Sequence, residues 1–301
     1  MNHKISYIIV SYNVKEYLIL AIQSIIHYSS GNDYEIIMVD NNSSDDTVTS
    51  VQHMFPSVHI IQNNYNAGFS EANNQGIKAS TGEFIFLLNP DAELTENTLS
   101  TLINKVDKSN SLWAPCLKNT DGTFQKSYWK TPTAFTILSE IFFIHYVKRI
   151  LFTPKPLTIE KNVECVSGAA MFFKRTLTDN VGLLDPNLFW MEDTDFCYRI
   201  RKNGGFVKFI PDACVIHHGG KSSATNQPIT ISNQIISKIK FFKKHAMTFS
   251  YRCSIFLSFF LIIEKIILFG ILCFVPLSRK KCTAYHYSLK QLVCFLQKNN
   301  S

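Results

Sequence analysis

The chain has 301 residues, of which 46% are hydrophobic and 13% aromatic, so it can bury a sizeable core and global disorder is excluded. Its net charge of +7 is concentrated in the last third, which suits an anionic surface of lipid head groups or nucleic acid. The eight cysteines include no CxxC pair, which argues against a zinc site or a disulfide framework and indicates a reducing compartment. The N-terminus lacks signal-peptide architecture, so we expect the main domain to be cytoplasmic.

Short apolar runs alternate with helical stretches over roughly the first 113 residues. Buried strands are predicted at residues 5–10, 35–39, 58–61 and 83–88, and helices at 15–28, 46–55, 70–79 and 95–108. The alternation indicates an α/β fold with a mostly parallel, Rossmann-like sheet and helices on both faces.

Three of these strands end in polar clusters, at Ser11-Tyr12-Asn13, Asp40-Asn41-Asn42-Ser43 and Asn89-Pro90-Asp91. The carboxyl ends of parallel strands lie at one edge of a sheet, where such folds bind ligands. Turn chemistry alone is the alternative reading, because Asn, Asp and Ser favour turns. Three clusters after successive strands favour a polar binding site.

The alternation of strands and helices is lost over residues 120–160. This segment is aromatic and basic, and we interpret it as an insertion or lid. Strand character returns at residues 165–173, 206–210 and 213–216. Gly168 lies inside the first of these runs and indicates a close approach to the backbone there.

The run Phe189–Gly204 is the most informative stretch, because it sets three carboxylates where an aromatic segment turns into a helix. Acids beside apolar neighbours lose hydration, so their pKa values rise and proton transfer near neutral pH becomes feasible. The alternative is that Glu192 and Asp193 simply favour the positive end of the helix dipole. Asp195 is expected to cap the helix or to bind Arg199 on the same helical face.

The composition changes again after Gly220, with a basic helical stretch at residues 229–244 and an apolar run at 255–275. The apolar residues favour membrane insertion by about 5 to 10 kcal/mol, and the central Glu264-Lys265 pair opposes it by about 5 to 7 kcal/mol. Basic residues flank both ends, against the positive-inside tendency of a single span. We therefore favour an interfacial or re-entrant helical element over a span, with a buried helix pair as a third option. The basic residues are Lys238, Lys240, Lys243, Lys244, Arg252, Arg279, Lys280 and Lys281.

Seven segments, in this order, resemble the family-2 glycosyltransferases of GT-A fold, and within them the bacterial rhamnosyltransferase-like branch that builds surface polysaccharides. They cover roughly residues 4–224. The segments are IIVSYN (Ile8–Asn13), VDNNSSDDT (Val39–Thr47), NNYNAGFSEANNQGI (Asn63–Ile77), LLNPDAEL (Leu87–Leu94), SGAAMFFKR (Ser167–Arg175), FWMEDTDFCYR (Phe189–Arg199) and VIHHGGKSS (Val215–Ser223). The resemblance implies a GT-A domain at residues 1–225. The composition described above places an insertion at 120–160 within it and a helical membrane-associated region after it, at 226–301.

The resemblance implies an inverting transferase that moves a sugar, with L-rhamnose as the leading candidate, from a dTDP- or UDP-linked donor to a lipid-linked or glycan acceptor. Such enzymes offset the charge of the leaving diphosphate with a divalent cation, Mg²⁺ or Mn²⁺. Asp91 stands where the family has the last residue of an Asp-x-Asp turn. Asn89 replaces the first and is expected to bind ribose or a metal-bound water. His217 is implied as a further metal ligand, with His218 as the alternative.

The resemblance also implies roles for the remaining polar positions. Asp193 matches the catalytic base, and Glu192 is the alternative for that role. Asp40 would accept a hydrogen bond from the pyrimidine base. The other implied positions are Ser11 and Tyr12 in the base pocket, Asn66 and Gly68 in a donor-side loop, and Gly168, Ala169 and Trp190 on the acceptor side.

The expected location is the cytoplasmic face of a bacterial inner membrane, where the enzyme would be peripheral or monotopic, with a single span as the alternative. No nucleic-acid partner is expected, because no recognition motif accompanies the basic charge. A nucleotidyltransferase is a less favoured reading, since it would carry a Gly-rich phosphate loop after the first strand. A non-catalytic membrane-associated scaffold would predict decay of the acidic motifs, which are present at Asp40, Asp91 and Asp193.

Overall fold

The computed structural model describes residues 3–107, 109–142, 157–219, 227–272 and 274–300. They group into two compact units. The first comprises the described residues of Met1–Thr131, Lys155–Pro186 and Glu192–Ser222, and the second those of Pro132–Pro154, Asn187–Met191 and Ser223–Ser301.

The first half of the first unit is a parallel α/β layer, as predicted. Its sheet runs in the order β3-β2-β1-β4, and all three pairings are parallel. Each predicted strand and helix is found, with α1 at the predicted bounds. The elements are β1 (Ile5–Ser11), α1 (Lys15–Tyr28), β2 (Tyr34–Asp40), α2 (Thr47–Met54), β3 (His59–Gln62), α3 (Gly68–Ala79) and β4 (Phe84–Leu88).

The rest of the described chain follows a different pattern. Its elements, in chain order, are β5 (Ala92–Leu94), α4 (Thr98–Lys105), β6 (Ser111–Lys118), β7 (Phe124–Gln125), β8 (Tyr128–Trp129), α5 (Ala134–Ile141), β9 (Lys161–Asn162), β10 (Cys165–Val166), β11 (Ala170–Lys174), α6 (Leu177–Val181), α7 (Glu192–Lys202), β12 (Phe206–His217), α8 (Gln227–Lys244), α9 (Thr248–Ile271) and α10 (Pro276–Asn300). The sheet continues from β4 as β11-β6-β12-β5. β11 is antiparallel to both β4 and β6, whereas β6 and β12 are parallel.

Three details of the strand predictions differ from the structure. The predicted strand at 165–173 is two strands, because β10 pairs with β8 in a separate small sheet while β11 joins the main sheet. The runs at 206–210 and 213–216 are one strand, β12, whose register shifts between Ile210 and Cys214. β6 was not predicted, and it contains Pro115, a residue that normally argues against a strand. Part of the predicted insertion, residues 143–156, lies outside the described residues.

Apolar side chains fill both faces of the main sheet, which explains why its strands are nearly continuous hydrophobic runs. On one face Tyr7 and Ile9 of β1 join a core with residues of α1, α2 and α4. On the other face Ile8 joins residues of α3, α6 and α7. Burial on both sides leaves only the strand ends available for a polar site.

The second unit is a helical bundle. α9 packs against α5, α8 and α10, and α8 also packs against α10. Most of the predicted apolar run lies within α9, which ends at Ile271. Among the described helices, α9 is the one long and apolar enough to cross a membrane, judged by length and composition alone.

Candidate active site

Ser11 and Asp40 lie side by side at the ends of β1 and β2, since the register of the two strands pairs them directly. Both are fully buried. Asp40 accepts hydrogen bonds from the Ser43 backbone N–H (2.9 Å) and hydroxyl (2.5 Å). The buried Ser11 hydroxyl has no hydrogen-bond partner among the described residues. Tyr12 follows and is half-buried, so the predicted base-pocket residues are brought together.

Two asparagines with a left-handed backbone conformation shape the loops at this edge of the sheet. Asn13 and Asn42 have φ of 53° and 64°, a conformation that asparagine tolerates better than most residues. The Asn13 side-chain oxygen accepts from the Ser44 N–H (2.8 Å), and the Asn13 N–H donates to the Ser43 hydroxyl (3.0 Å). The loops after β1 and β2 are therefore tied to each other.

A second amide network joins this edge to the loop before α3. Asn63 donates to the side-chain oxygen of Asn41 (3.0 Å), and Asn41 donates to the Gly68 carbonyl (3.2 Å). Asn66 accepts from the Gly68 N–H (3.0 Å), and Gly68 has φ of +80°. The predicted donor-side residues Asn66 and Gly68 thus contact each other. Asn41 and Asn63 were not predicted as site residues, although both lie in motifs noted in the sequence.

The turn after β4 holds Asn89 and Asp91 beside His217. The pairing of β5 with β12 sets His217 opposite Ala92, the residue after Asp91. As a result, His217 Nε2 lies 3.3 Å from Asp91 Oδ1 and 3.4 Å from Asn89 Nδ2. Asp91 is buried, and the Asn89 N–H donates to the Ala169 carbonyl (2.9 Å). Side chains 128 residues apart in sequence therefore converge at one strand edge.

Gln125 of β7 fixes the orientation of the His217 ring. His217 Nδ1 lies 2.6 Å from Gln125 Oε1, and the Gln125 amide nitrogen donates to Asn119 Oδ1 (2.9 Å) and to the His217 carbonyl (3.3 Å). With its amide group oriented in this way, Gln125 presents only an acceptor to the ring, so Nδ1 carries the proton. In a neutral ring this tautomer leaves the Nε2 lone pair for the Asn89 amide or for a cation.

His218, the alternative metal ligand, has a different partner. Its Nε2 lies 2.5 Å from Glu93 Oε1, and its backbone N–H donates to the Asp91 carbonyl (2.9 Å). Its ring also lies against Tyr17, with the centroids 5.0 Å apart. The arrangement favours His217 over His218 as the ligand.

The donor set of Asp91 and His217 fits a divalent cation. Two adjacent ligands of an octahedral ion, each bonded at about 2.1 Å, lie about 3 Å apart, close to the observed 3.3 Å. A carboxylate with an imidazole suits Mn²⁺ better than Mg²⁺. Within the described residues no group of three or more His, Cys, Asp and Glu side chains is arranged to hold a metal. Further ligands would then be phosphate oxygens of a donor and water.

Asp193 lies in the first turn of α7, next to Gly168. Its Oδ2 accepts from the Gly168 N–H (3.2 Å), and its Oδ1 accepts from the Thr194 N–H (2.6 Å). Burial raises the pKa of this carboxyl to about 6, because loss of hydration outweighs these hydrogen bonds, which lower it. The raised pKa expected for acids of this run is therefore found at Asp193. A side chain at Gly168 would meet the Phe69 ring at 3.3 Å and Asp193 Cβ at 3.7 Å.

The other two acids of the run have different surroundings. Asp195 is fully buried and accepts from Arg199 Nε (2.8 Å), which confirms the predicted pair. Arg199 in turn donates to the carbonyls of Val181, Gly182 and Leu183. Asp195 therefore holds the α6–α7 connection in place. Glu192 is half-buried, one residue before Asp193.

Trp190 belongs to the segment that groups with the helical unit. Its φ is 71°, a strained value for a bulky side chain, and it is 43% exposed. Lys240 anchors this segment by donating to the Asn187 carbonyl (3.1 Å). Strain of this kind occurs often at functional sites. The acceptor-side role of Trp190 stays a prediction.

The sequence matches the profile of glycosyl transferase family 2 over residues 6–182. A Campylobacter jejuni GalNAc(5)-diNAcBac-PP-undecaprenol beta-1,3-glucosyltransferase is 33% identical over 130 residues, which are 42% of each chain. A Mycobacterium tuberculosis N-acetylglucosaminyl-diphospho-decaprenol L-rhamnosyltransferase is 24% identical over 213 residues, 62% of this chain and 67% of that one. The match to the Campylobacter enzyme thus spans less than half of its length.

Solved structures show the same fold. The mannosyltransferase PcManGT from Pyrobaculum calidifontis, in complex with GDP-Man and Mn²⁺, superimposes with a TM-score of 0.55 at 14% identity, over 97% of this chain and 87% of that one. S. aureus TarS 1-349 in complex with UDP gives 0.54 at 19% identity, over 79% and 64% of the two chains. With this fold and the profile match over more than half of its length, the chain belongs to glycosyl transferase family 2 and has the GT-A fold.

Proposed function

We propose that this protein is an inverting, metal-dependent glycosyltransferase that moves a hexose from a nucleotide-diphosphate donor to a lipid-linked acceptor. The observation that carries the proposal is the carboxyl of Asp193, partly buried and poised with a pKa of about 6, in the same unit as the Asp91–His217 pair. A general base and a candidate cation site are the two groups that such a displacement requires.

The donor nucleotide is proposed to occupy the edge formed by Ser11, Tyr12 and Asp40. The buried Ser11 hydroxyl, without a partner among the described residues, is suited to a ligand because unsatisfied buried polar groups are costly. Asn66 and Gly68 form the loop on the donor side. We propose a dTDP- or UDP-linked sugar. L-rhamnose is the leading candidate, because the M. tuberculosis relative is named an L-rhamnosyltransferase.

Asp91 and His217 are proposed to hold the divalent cation, with Mn²⁺ favoured over Mg²⁺ by the nitrogen ligand. When bound, the cation offsets the negative charge that develops on the departing diphosphate. Asn89 lacks the negative charge of a carboxylate. Its amide nitrogen lies 3.4 Å from His217 Nε2, and we propose that Asn89 binds the ribose of the donor or a metal-bound water. The presence of Mn²⁺ in the PcManGT complex supports this choice of cation.

Asp193 is proposed to act as the base in a single displacement. The acceptor hydroxyl gives its proton to Asp193 while its oxygen bonds to the anomeric carbon. The bond from that carbon to the donor diphosphate breaks, and the nucleoside diphosphate leaves from the opposite face, which inverts the configuration. With a pKa of about 6, Asp193 is mostly ionised at pH 7 and more basic than an ordinary carboxylate.

The acceptor is proposed to be a sugar on a polyprenyl diphosphate, because the Campylobacter and Mycobacterium relatives are named for such acceptors. Gly168 and Ala169 would border it. Such acceptors reside in the membrane, so the basic helical region at 226–301 would hold the enzyme at the cytoplasmic face, in a peripheral or monotopic manner. The product would then serve surface polysaccharide synthesis.

A transfer assay tests the proposal. Purified full-length protein is incubated with Mn²⁺, a panel of nucleotide sugars and a short-chain polyprenyl diphosphate-linked GlcNAc, and the products are analysed by mass spectrometry and NMR. We expect transfer from one donor with inversion at the anomeric carbon. Retention of configuration would contradict the mechanism, and absence of transfer and of donor hydrolysis with every donor would contradict the function.

A further inference from the structure

The polarity of α9 is inverted relative to a helix in a water-soluble bundle. The side chains that face its neighbours include Ser254, Ser258 and Lys265, which are 0%, 1% and 6% exposed. Large apolar side chains project outward on the opposite side, where soluble helices carry polar residues. They form what we term the outer face of α9, made of Phe249, Phe256, Phe260, Ile263, Ile267 and Ile271, which are 48% to 72% exposed.

Neighbouring elements of the same unit extend this outer face. Phe135 of α5 is 73% exposed and borders a groove of about 410 Å³ between α5 and α9. Beyond the other end of α9, Phe274 and Leu277 are 76% and 55% exposed. The groove is apolar except for the exposed guanidinium of Arg252. Exposed apolar surface of this extent marks a membrane or protein interaction site.

Positive charge flanks the apolar surface at both ends. Lys243 and Lys244 precede α9, Arg252 lies in its first turns, and three further cations open α10 at Arg279–Lys281. No carboxylate of the described residues forms an ion pair with Arg252. Apolar surface rimmed by cations is the pattern of a helix that lies on an anionic bilayer.

The bundle also indicates how α9 is oriented in the lipid. α8 and α10 pack along α9. They carry Lys238, Lys240 and Lys290 among their side chains, and charged groups are costly in the hydrocarbon core. If α9 crossed the membrane, α8 and α10 would either enter the bilayer with it or lose their packing against it. An orientation parallel to the membrane plane keeps the packing and places the apolar side in lipid.

We propose that the outer face of α9 lies in the interfacial region of an anionic phospholipid bilayer, with the helix parallel to the membrane plane and Arg252 paired with a lipid phosphate. This inference rests on the proposed membrane location and adds to it the surface, the orientation and the lipid charge. It needs no donor or acceptor, so vesicle binding tests it separately from catalysis.

The test is co-sedimentation of the full-length protein with phosphatidylcholine vesicles that contain or lack phosphatidylglycerol. We expect binding to the anionic vesicles and a loss of about tenfold or more in partitioning for the Phe256→Glu/Phe260→Glu variant. Leu20→Glu, the same change at an exposed apolar residue of α1, is the matched control and should bind as the parent does. Circular dichroism and thermal unfolding verify that each variant is folded.

Two further readouts complete the test. Carbonate extraction of membranes should release the protein, because an in-plane helix has no transmembrane anchor. Arg252→Glu should weaken binding to anionic vesicles more than binding to neutral ones. Undiminished vesicle binding by the double Phe variant, or retention after carbonate extraction, would overturn the proposal. So would a parent dimer in light scattering that the double variant dissociates, because the face would then bind a second copy of the chain.

Discussion

The burial of one side chain, Asp193, determines how basic its carboxylate is. Three hydrogen bonds to its oxygens lower its pKa, yet loss of hydration raises it to about 6. Asp195, two residues later in the same helix, is bound to Arg199 and serves the fold. Two acids in one helical turn thus differ in their chemistry, because their contacts differ.

Replacing Asp193 by Asn should abolish transfer, with a loss of about 10²- to 10⁴-fold in kcat, because a general base contributes about that much. Donor affinity measured by calorimetry should stay nearly unchanged, since the substitution does not alter the proposed nucleotide site at Ser11 and Asp40. Glu192→Gln is the matched control and should retain most activity. Near-normal turnover of the Asp193→Asn enzyme would remove this residue from the mechanism.

The raised pKa predicts the pH dependence of the reaction. Only ionised Asp193 accepts a proton, so kcat/KM should fall about tenfold per pH unit below about 6 and level off above it. A pH–rate profile at saturating Mn²⁺ measures this. A midpoint near the ordinary aspartate value of 3.8 would contradict the role of burial.

Asp91→Ala should weaken binding of the donor in the presence of Mn²⁺, because the carboxylate is the one anionic group next to His217 Nε2 in the described turn. The measurement is a donor titration with and without Mn²⁺. The parent should show a metal-dependent gain in affinity, and the variant should show little. Identical metal-dependent titrations for the two proteins would argue against a cation at this turn.

Gln125→Leu should weaken Mn²⁺ affinity about 10- to 100-fold, because it removes the acceptor that fixes the His217 tautomer. Electron paramagnetic resonance titration of Mn²⁺ in the presence of nucleoside diphosphate measures this without catalysis. Gln52→Leu, at an exposed position of α2, is the control. Equal Mn²⁺ affinity in the parent and the Gln125 variant would contradict a positioning role.

Among the helices and strands, the local sequence pattern was enough to predict those elements that pack against their neighbours in the same strand–helix unit. α1 has the predicted bounds because the apolar spacing of Leu18, Ile22 and Ile25 matches a helix that packs on a neighbouring strand. The division between β10 and β11 could not be predicted, since it depends on which strand each one pairs with. Gln125 was missed because a single glutamine in a two-residue strand gives no pattern.

Replacing two helical glycines by alanine tests the packing of their helices. Gly76→Ala in α3 should destabilise the protein by about 1 to 3 kcal/mol, because the added Cβ would clash with Cγ2 of buried Ile8 and the core would be overpacked. Gly270→Ala in α9 has nothing within 4 Å and should be neutral or stabilising by up to about 1 kcal/mol. Chemical denaturation measures both. A stabilising Gly76→Ala would contradict the packing of α3 on β1.

For the whole molecule, the sequence motifs predicted the family and the fold, and the domain bounds 1–225 and 226–301 stay predictions. The segments that carry the resemblance contain the residues at the strand edge, and the GT-A fold is confirmed by the comparisons. The compact units, however, are not contiguous in sequence, since residues 187–191 group with the C-terminal helices. Such grouping arises from packing between distant segments, which no local pattern encodes. The donor and the acceptor lipid stay predictions.

We propose that this protein binds a nucleotide sugar with the help of a divalent cation. A thermal-shift panel of nucleotide sugars, with and without Mn²⁺ and with Asp91→Ala in parallel, measures that binding. We predict that one dTDP- or UDP-linked sugar raises the Tm of the parent, that Mn²⁺ enhances the shift, and that the variant loses the enhancement. A folded parent whose Tm responds to no nucleotide sugar, with or without Mn²⁺, would contradict the claim.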